Sequence, residues 1–348
     1  MNKLASGALA SANNDQPVLT VTVVVCAFTE RRIYQLKRCI LSLYGQTRPV
    51  DEIVLVIDHN EHLFEIMSDW FACLSEVHIV KNEGRQGLSA ARNTGVSYAK
   101  GNVIVFLDDD AWAEANFLER MLVPYENIYS RNSTVYGAGG RVNAVWPSKR
   151  PRWFPPEFDW VVGCSYLQPN DTPQPVRNFI GAAMSFRKEV FDYVGGFDED
   201  AGRVGSKPLG CEETELCIRL KSHYPNAQLI QLDTAQVNHE VTQERARLRY
   251  FVKRCWSEGI SKAFVASIVG ANAALSEEKG YLTTVLPLAL GRELRGIPQG
   301  QIDGIMRSAV IMIGIIVTTL GYLRGRLTSL YKYFNFPVPI GKASNRCS

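Results

Sequence analysis

Three consecutive carboxylates, Asp108-Asp109-Asp110, follow the apolar run Val103–Leu107 (VIVFL). Like charges this close raise one another's pKa unless a cation or hydrogen bonds hold them. Oxygen ligands of this kind suit Mn²⁺ or Mg²⁺, hard ions that keep waters and bridge substrate phosphates. An isolated DDD is most simply a solvated acidic turn, so the context of the triplet decides its meaning. A second acidic cluster, Glu212-Glu213-Thr214-Glu215, places Glu213 103 positions beyond Asp110. Successive helical residues are about 100° apart, so the three glutamates cannot all face one cleft. One facing the site can act as a general base; the others suit the first turn of a helix. His239, in Val237-Asn238-His239-Glu240, is a third candidate as a metal or phosphate partner, although a lone His is more often structural. Arg245, Arg247, Arg249 and Arg254 follow; most would be solvated, but one can clamp a phosphate.

The elements that must position these groups are legible in the hydrophobic pattern. Val21–Cys26 (VTVVVC) is a β-branched run, as expected of a strand buried on both faces. Leu36, Ile40, Leu43 and Tyr44 then recur at helical spacing. Ile53–Ile57 predicts a second strand, followed by a helical stripe of Leu63, Ile66, Met67, Trp70, Phe71 and Leu74. Val77–Val80 predicts a third strand, Ala90–Ala99 a helix capped by Ser89, and Val103–Leu107 a fourth strand. Strands alternating with helices imply βαβ units and a doubly wound, mostly parallel sheet with helices on both faces. Ligands of such sheets bind beyond the carboxyl ends of the strands. There stand Ala27-Phe28-Thr29-Glu30 after the first strand, Asp58-His59-Asn60 after the second and the aspartate triplet after the fourth. Neither a GxGxxG fingerprint nor a P-loop follows the first strand. Binding must therefore rest on carboxylates and a cation.

Further along, seven of the sixteen prolines and Trp146, Trp153 and Trp160 fall within residues 146–175. This reads as a long aromatic loop, either lining an acceptor site or covering the core. Asn178–Phe186 predicts another strand, with small residues such as Gly181 where a ligand can approach the backbone. Gly195-Gly196-Phe197-Asp198 predicts a turn, Glu212–Lys221 a helix and Gln228–Leu232 the last strand, with His239 after it.

Composition bounds the possibilities. The 348 residues are 46% hydrophobic and 21% charged, with a net charge of +3, which excludes wholesale disorder and a multi-span membrane protein. Eight scattered cysteines without a CxxC pair read as reduced thiols. Residues 281–348 carry +6, leaving the first 280 residues at −3. An acidic body with a basic, apolar tail points to a membrane surface and away from nucleic acid. Ala309–Leu323 is an uncharged run flanked by Arg307, Arg324 and Arg326, and Tyr281–Leu290 is a weaker apolar stretch. A full span needs about 20 apolar residues, so interfacial helices are expected first, a marginal single span second and a buried helix pair third. The first 17 residues carry no long apolar run after a basic start, so no secretory signal is expected.

In order along the chain, VTVVVCAFTE, the SLYGQT helix end, EIVLVID, GLSAARNTG, VIVFLDDDA, the GGFDE turn and GCEETELCIRL resemble glycosyltransferase family 2, over about residues 19–260. The GGFDE, KPLGCEETELC and SEGISKA stretches are most similar to membrane-associated members that extend lipid-linked glycans, such as glucosyl-dolichyl-phosphate glucuronosyltransferases. The resemblance implies a GT-A fold, a flexible tail over 1–18, a catalytic domain over 19–260 and a helical, membrane-associating region over 261–348. It implies an inverting, metal-dependent hexosyltransferase taking a nucleotide-diphosphate sugar to a glycan or lipid-linked acceptor, at the cytoplasmic face of a membrane. Ala27, Phe28, Glu30, Asp58, Arg92, Asp108 and Asp109 would bind the nucleotide sugar. Asp110 and Asp108, with His239, would hold Mn²⁺ or Mg²⁺. Glu213 would take the place of the base, usually Asp in the family, and the longer side chain leaves Glu212 as an alternative. The family's second-half Arg would be Arg245 or Arg247.

Three rivals share some of these features. A polyprenyl-phosphate sugar synthase would have the same fold. A sugar nucleotidyltransferase would need a glycine-rich basic loop after the first strand, which CAFTERR lacks. A non-catalytic membrane-bound scaffold would be expected to lack one of the acidic motifs, and both are present.

Overall fold

A computed structural model of the chain describes residues 18–126, 134–201, 210–296, 300 and 302–335. Most of the N-terminal tail, Lys342, Arg346, Cys347 and part of the KPLG stretch lie outside the described residues. The N-terminal half alternates strands and helices: β1 Val21–Ala27, α1 Ile33–Tyr44, β2 Glu52–Asp58, α2 Glu61–Phe71, β3 Val77–Asn82, α3 Leu88–Tyr98 and β4 Val103–Asp108. There follow β5 Ala111–Ala113, α4 Phe117–Leu122, β6 Val135–Val145, β7 Gln174–Pro175, β8 Ala183–Arg187, α5 Glu189–Val194, α6 Glu212–His223 and β9 Gln228–Glu240. The C-terminal part is helical: α7 Leu248–Val269, α8 Ala271–Ala274, α9 Ser276–Gly280, α10 Leu286–Gly296 and α11 Asp303–Asn335.

One sheet runs β3-β2-β1-β4-β8-β6-β9-β5, with β7 beside β9. Its first four strands are parallel, as is the β6–β9 pair, while β8 and β5 are antiparallel to their neighbours. The period of two in side-chain direction divides each central strand between two cores. Val21, Val23 and Val25, with Ile53, Leu55, Ile57, Val103, Val105 and Leu107, pack on one face beneath α1 and α2. Val24, Val54, Val56, Ile104 and Phe106 feed the other, with residues of α3, α5 and α6. This double burial is why the strands read as continuous apolar runs.

Several local expectations are corrected. The N-cap of α3 is Gly87, without a side-chain cap bond; the Ser89 hydroxyl instead donates to the Ala201 carbonyl at 2.7 Å. The strand expected from Asn178 begins at Ala183, because the preceding residues turn under Arg92. β9 extends to Glu240, so His239 lies within the last strand. β5, β6 and β7 are additional. β6 carries three glycines, which hide a strand from its pattern, and a Cβ at Gly139 would collide with the Phe179 ring. In the proline-rich segment, a 3₁₀ helix spans Pro156–Val162.

The expected division between residues 260 and 261 falls inside α7. On the outer side of α7 lies α11, the one described helix long and apolar enough to cross a membrane. The two backbones nearly touch: a Cβ at Gly259 would strike the Thr318 carbonyl oxygen, and one at Gly321 the Trp256 carbonyl oxygen. The opposite face of α11 exposes Ile305, Met312, Ile316, Leu320, Leu323 and Leu327 in one row. Replacing a helical glycine gains up to about 1 kcal/mol of propensity. At Gly321 the steric clash is with backbone and outweighs it. Gly321→Leu should therefore lower stability by about 1–3 kcal/mol in denaturant unfolding.

Candidate active site

Asp108 stands at the end of β4, opposite Cys26 of β1, on the edge where the parallel strands terminate. The chain then turns into β5, whose antiparallel pairing with β9 sets Ala111 opposite His239. The Glu240 amide donates to the Asp110 carbonyl at 3.1 Å, locking this register. His239 Nε2 consequently lies 3.0 Å from Asp110 Oδ1. Asp108, Asp110 and His239 each offer a ligand atom, all within 4.8 Å of one another. His239 Nδ1 is buried without a hydrogen-bond partner, as is Asp109 Oδ2. Two carboxylates and an imidazole are a donor set that fits Mn²⁺ or Mg²⁺, with Mn²⁺ the better match for the nitrogen ligand.

The chain's own cations partly neutralise these acids. Arg32 Nη1 is 2.7 Å from Asp109 and 2.8 Å from Asp110, and Arg245 Nη2 is 3.0 Å from Asp110. Burial opposes charge on Asp110, but His239 and Arg245 outweigh it and hold its carboxyl well below the usual range. Asp109 goes the other way. Burial pushes its carboxyl up to about 7 despite Arg32, with Asp110 and Asp108 adding to the rise.

Arg92 joins the two acidic motifs. It lies on α3, which Gly95 allows against the sheet, since a Cβ there would collide with Val24. Buried to 3% exposure, its guanidinium reaches Glu212 Oε1 at 2.8 Å, Asp108 Oδ1 at 3.4 Å and the Gly181 carbonyl at 3.2 Å. A Cβ at Gly181 would sit 2.8 Å from Arg92 Nη2, so the small residue expected to admit a ligand instead admits the arginine. The glutamates diverge as their helical spacing requires. Glu212 is held by Arg92, and Glu215 grips Arg219, which donates to the Gly196 carbonyl of the GGFDE turn at 2.8 Å. Glu213 is half-buried: burial, then Glu212 beside it, push its carboxyl up to about 8.

The other expected site residues are placed as follows. Ala27 is buried at the end of β1, and Phe28 is exposed beside Arg32, whose guanidinium lies 5.4 Å from its ring. Glu30 faces His62 at 3.8 Å on the surface. Asp58 accepts from Asn82 Nδ2 at 2.6 Å and from the Gly87 amide at 3.0 Å, so it braces the loop before α3. Trp146, Trp153 and Trp160 are half-buried around Phe154, Phe158 and Phe251, and Trp160 donates to Tyr281 at 3.0 Å. Their packing favours the reading in which this segment covers the core. Arg247 stands at the N-cap position of α7, while Arg245 is the one paired with Asp110. Arg32 was not expected; two adjacent arginines after the first strand, facing an acidic triplet, were its signal.

Comparison with known proteins settles the family. The model of "Glycosyl transferase family 2" matches residues 22–195, half of the chain. A glucosyl-dolichyl phosphate glucuronosyltransferase of Haloferax volcanii is 31% identical over 89% of this chain and 97% of that enzyme. The protein belongs to glycosyltransferase family 2. Among solved structures, mannosyltransferase PcManGT from Pyrobaculum calidifontis, in complex with GDP-Man and Mn²⁺, has a TM-score of 0.52 at 16% identity and covers 86% of each chain. GalNAc-T7 with UDP, GalNAc and Mn²⁺ has a TM-score of 0.50 at 20% identity, covering 66% of this chain and 45% of that one. These likenesses establish the GT-A fold. A polypeptide N-acetylgalactosaminyltransferase 12 of Mus musculus is 28% identical over 59% of this chain, which spans 38% of that protein's length.

Two outcomes follow from the charges. Removing Arg92 leaves Glu212 buried and unpaired, so Arg92→Leu should cost about 3–5 kcal/mol in urea unfolding. Glu213 holds its proton to about pH 8 when folded, against an ordinary 4.5. The native state then binds more protons than the unfolded chain between those values, and stability falls as pH rises through that window. Glu213→Gln escapes this loss and should melt about 2–4 °C above the wild type at pH 8 without added metal.

Proposed function

We propose that the protein is an inverting glycosyltransferase that moves a hexosyl unit, by analogy with its Haloferax relative a glucuronosyl unit, from a nucleotide diphosphate to a polyprenyl-phosphate-linked sugar. One observation carries this reading: Arg92 bridges Asp108 and Glu212, so the two acidic motifs lie side by side at the strand ends. Ala27, Phe28 and Asp108, at the strand ends, would meet the nucleotide, with Asp58 bracing the loop beside them. Asp108, Asp110 and His239 would hold Mn²⁺ or Mg²⁺, which offsets the charge developing on the departing diphosphate. Arg32 and Arg245, already on the triplet, can turn to the phosphate oxygens.

Glu213 is the base in this proposal, since Glu212 is fixed by Arg92. A carboxyl with high proton affinity is a strong base once ionised. It takes the proton of the acceptor hydroxyl as that oxygen attacks the anomeric carbon. The C–O bond forms on the face opposite the diphosphate, whose bond to the sugar breaks, and the configuration inverts.

The exposed apolar row of α11, with Leu288 and Leu294 of α10 and nearby Arg324 and Arg326, suits a helix lying in the interface of an anionic membrane. Because α11 packs along α7, the interfacial arrangement is favoured over a span. The catalytic cleft would then work at the cytoplasmic face, beside a lipid-linked acceptor.

Full-length protein with UDP-glucuronic acid, Mn²⁺ and glucosyl-polyprenyl phosphate should show turnover, with an acid limb of kcat/KM near pH 8. Glu213→Gln should abolish transfer and keep nucleotide binding; wild-type turnover in that variant refutes the base assignment. In Asp110→Ala the metal-dependent part of nucleotide affinity should vanish in titration calorimetry. Carbonate should release the protein from membranes, and retention would favour a span.

A further inference from the structure

The SEGISKA stretch, Ser257–Ala263, has no role in the chemistry above, yet it lies at the centre of α7. Its residues divide between two faces. Gly259 and Ala263 meet α11, where Gly259 stands against Thr318 and Ala263 against Gly325. Glu258, Ser261 and Lys262 point the other way, toward the residues that lead into α6. We propose that Glu258 and Ser261 are positioning residues that clamp the leading turn of α6 and thereby aim Glu213 into the cleft. The proposal rests on the transferase reading, in which Glu213 is the base.

The geometry of that turn gives them something to hold. Cys211, immediately before Glu212 and Glu213, is the N-cap of α6 and has φ 77°. A residue with a Cβ avoids this left-handed region unless its surroundings impose it. Here two bonds from α7 do so. The Gly210 amide donates to Ser261 Oγ at 3.2 Å, and the Cys211 thiol donates to Glu258 Oε1 at 3.7 Å. Cys211 makes no side-chain cap bond to the helix it begins, so the constraint comes from α7.

Glu258 is itself fixed. It is buried, with Arg254 Nη1 at 2.9 Å from Oε2 and Lys262 Nζ at 3.1 Å from Oε1. Burial opposes its charge, but Lys262 and Arg254 outweigh it and bring its carboxyl down to about 2. Lys262 also pairs with Glu278, which Arg177 holds at 2.7 and 3.0 Å while donating to the Ala274 carbonyl. This chain ties α7, α9 and the strand-side residue Arg177 to the start of α6. A ladder of buried ion pairs is weak evidence for stability, but it fixes geometry well. Since Gly259 lets α11 press directly on the opposite side of the same turn of α7, the clamp has a rigid back.

The groups facing Glu213 are Glu212 on its own helix, Arg92 from α3, Glu258 and Arg254 from α7, and the thiols of Cys211 and Cys217. Glu258 raises the proton affinity of Glu213, so losing its charge should lower it.

The test uses the full-length protein, the donor, metal and acceptor named above, and three variants. Glu258→Gln should lower kcat at least about tenfold, leave the donor KM within about twofold, and move the acid limb of kcat/KM to lower pH. Glu258→Asp should restore most of the rate. Ser261→Ala, a milder change, should lower kcat about threefold with KM unchanged. Hydrogen exchange of peptides covering residues 210–216 should quicken in Glu258→Gln and Ser261→Ala, while β1 and β4 stay as protected as in the wild type. Folded variants with unaltered exchange across this turn overturn the proposal, as do an unmoved kcat and acid limb. If Glu258→Gln does not fold, Ser261→Ala decides by the same readouts. Absence of turnover in the wild type would refute the proposed glucuronosyl transfer instead, and the exchange measurement would still decide the clamp.

Discussion

A single guanidinium, that of Arg92, is the constraint on which the site depends. It is removed from water and surrounded by Glu212, Asp108 and the Gly181 carbonyl, with the Phe106 and Phe197 rings 5.9 and 5.5 Å away. A buried cation with a fixed planar fork tolerates few arrangements of its partners. It therefore sets the separation between the end of β4 and the start of α6. Two acidic segments that would otherwise repel are held side by side by the positive charge between them.

The other half of the site depends on backbone pairing. β5 is only three residues long, yet its register against β9 carries His239 to the aspartate triplet. Because side chains alternate along a strand, a slip of one residue would turn His239 to the other face. The electrostatics bear the marks of function over stability. Asp109 and Glu213 are kept where burial and neighbouring carboxylates disfavour their charge, while Arg32 and Arg245 offset the rest of the acidity. Such frustration relieved by a ligand is common where binding and catalysis occur.

The parallel half of the sheet was legible because Val21–Cys26, Ile53–Ile57 and Val103–Leu107 are buried on both faces and so are apolar throughout. The residues beyond these strands could be picked out by position, and Asp108, Asp110 and His239 do converge. The antiparallel half was harder to read. Its longest strand but one, Val135–Val145, carries glycines that make room for Phe179, and glycine erases the alternation that marks a strand. Asp58, which the family resemblance puts at the nucleotide, also accepts from Asn82 and the Gly87 amide, contacts that its position after a strand did not reveal. The tryptophans of residues 146–175 could not be assigned from spacing, since only the fold shows that they pack around Phe154 and Phe251. Arg32 escaped notice because long-range ion pairing leaves no periodic trace.

The glycine contacts between α7 and α11 have a consequence for protein engineering. A tail held by side chains alone could be exchanged for another helix of similar hydrophobicity. This one is in backbone contact with the helix whose inner face adjoins Cys211. Chimaeras that graft the N-terminal part onto a foreign helical tail should therefore place their junction before Leu248 and transplant α7 through α11 as one cassette. A junction inside α7 would separate two surfaces fitted to each other at the level of the main chain.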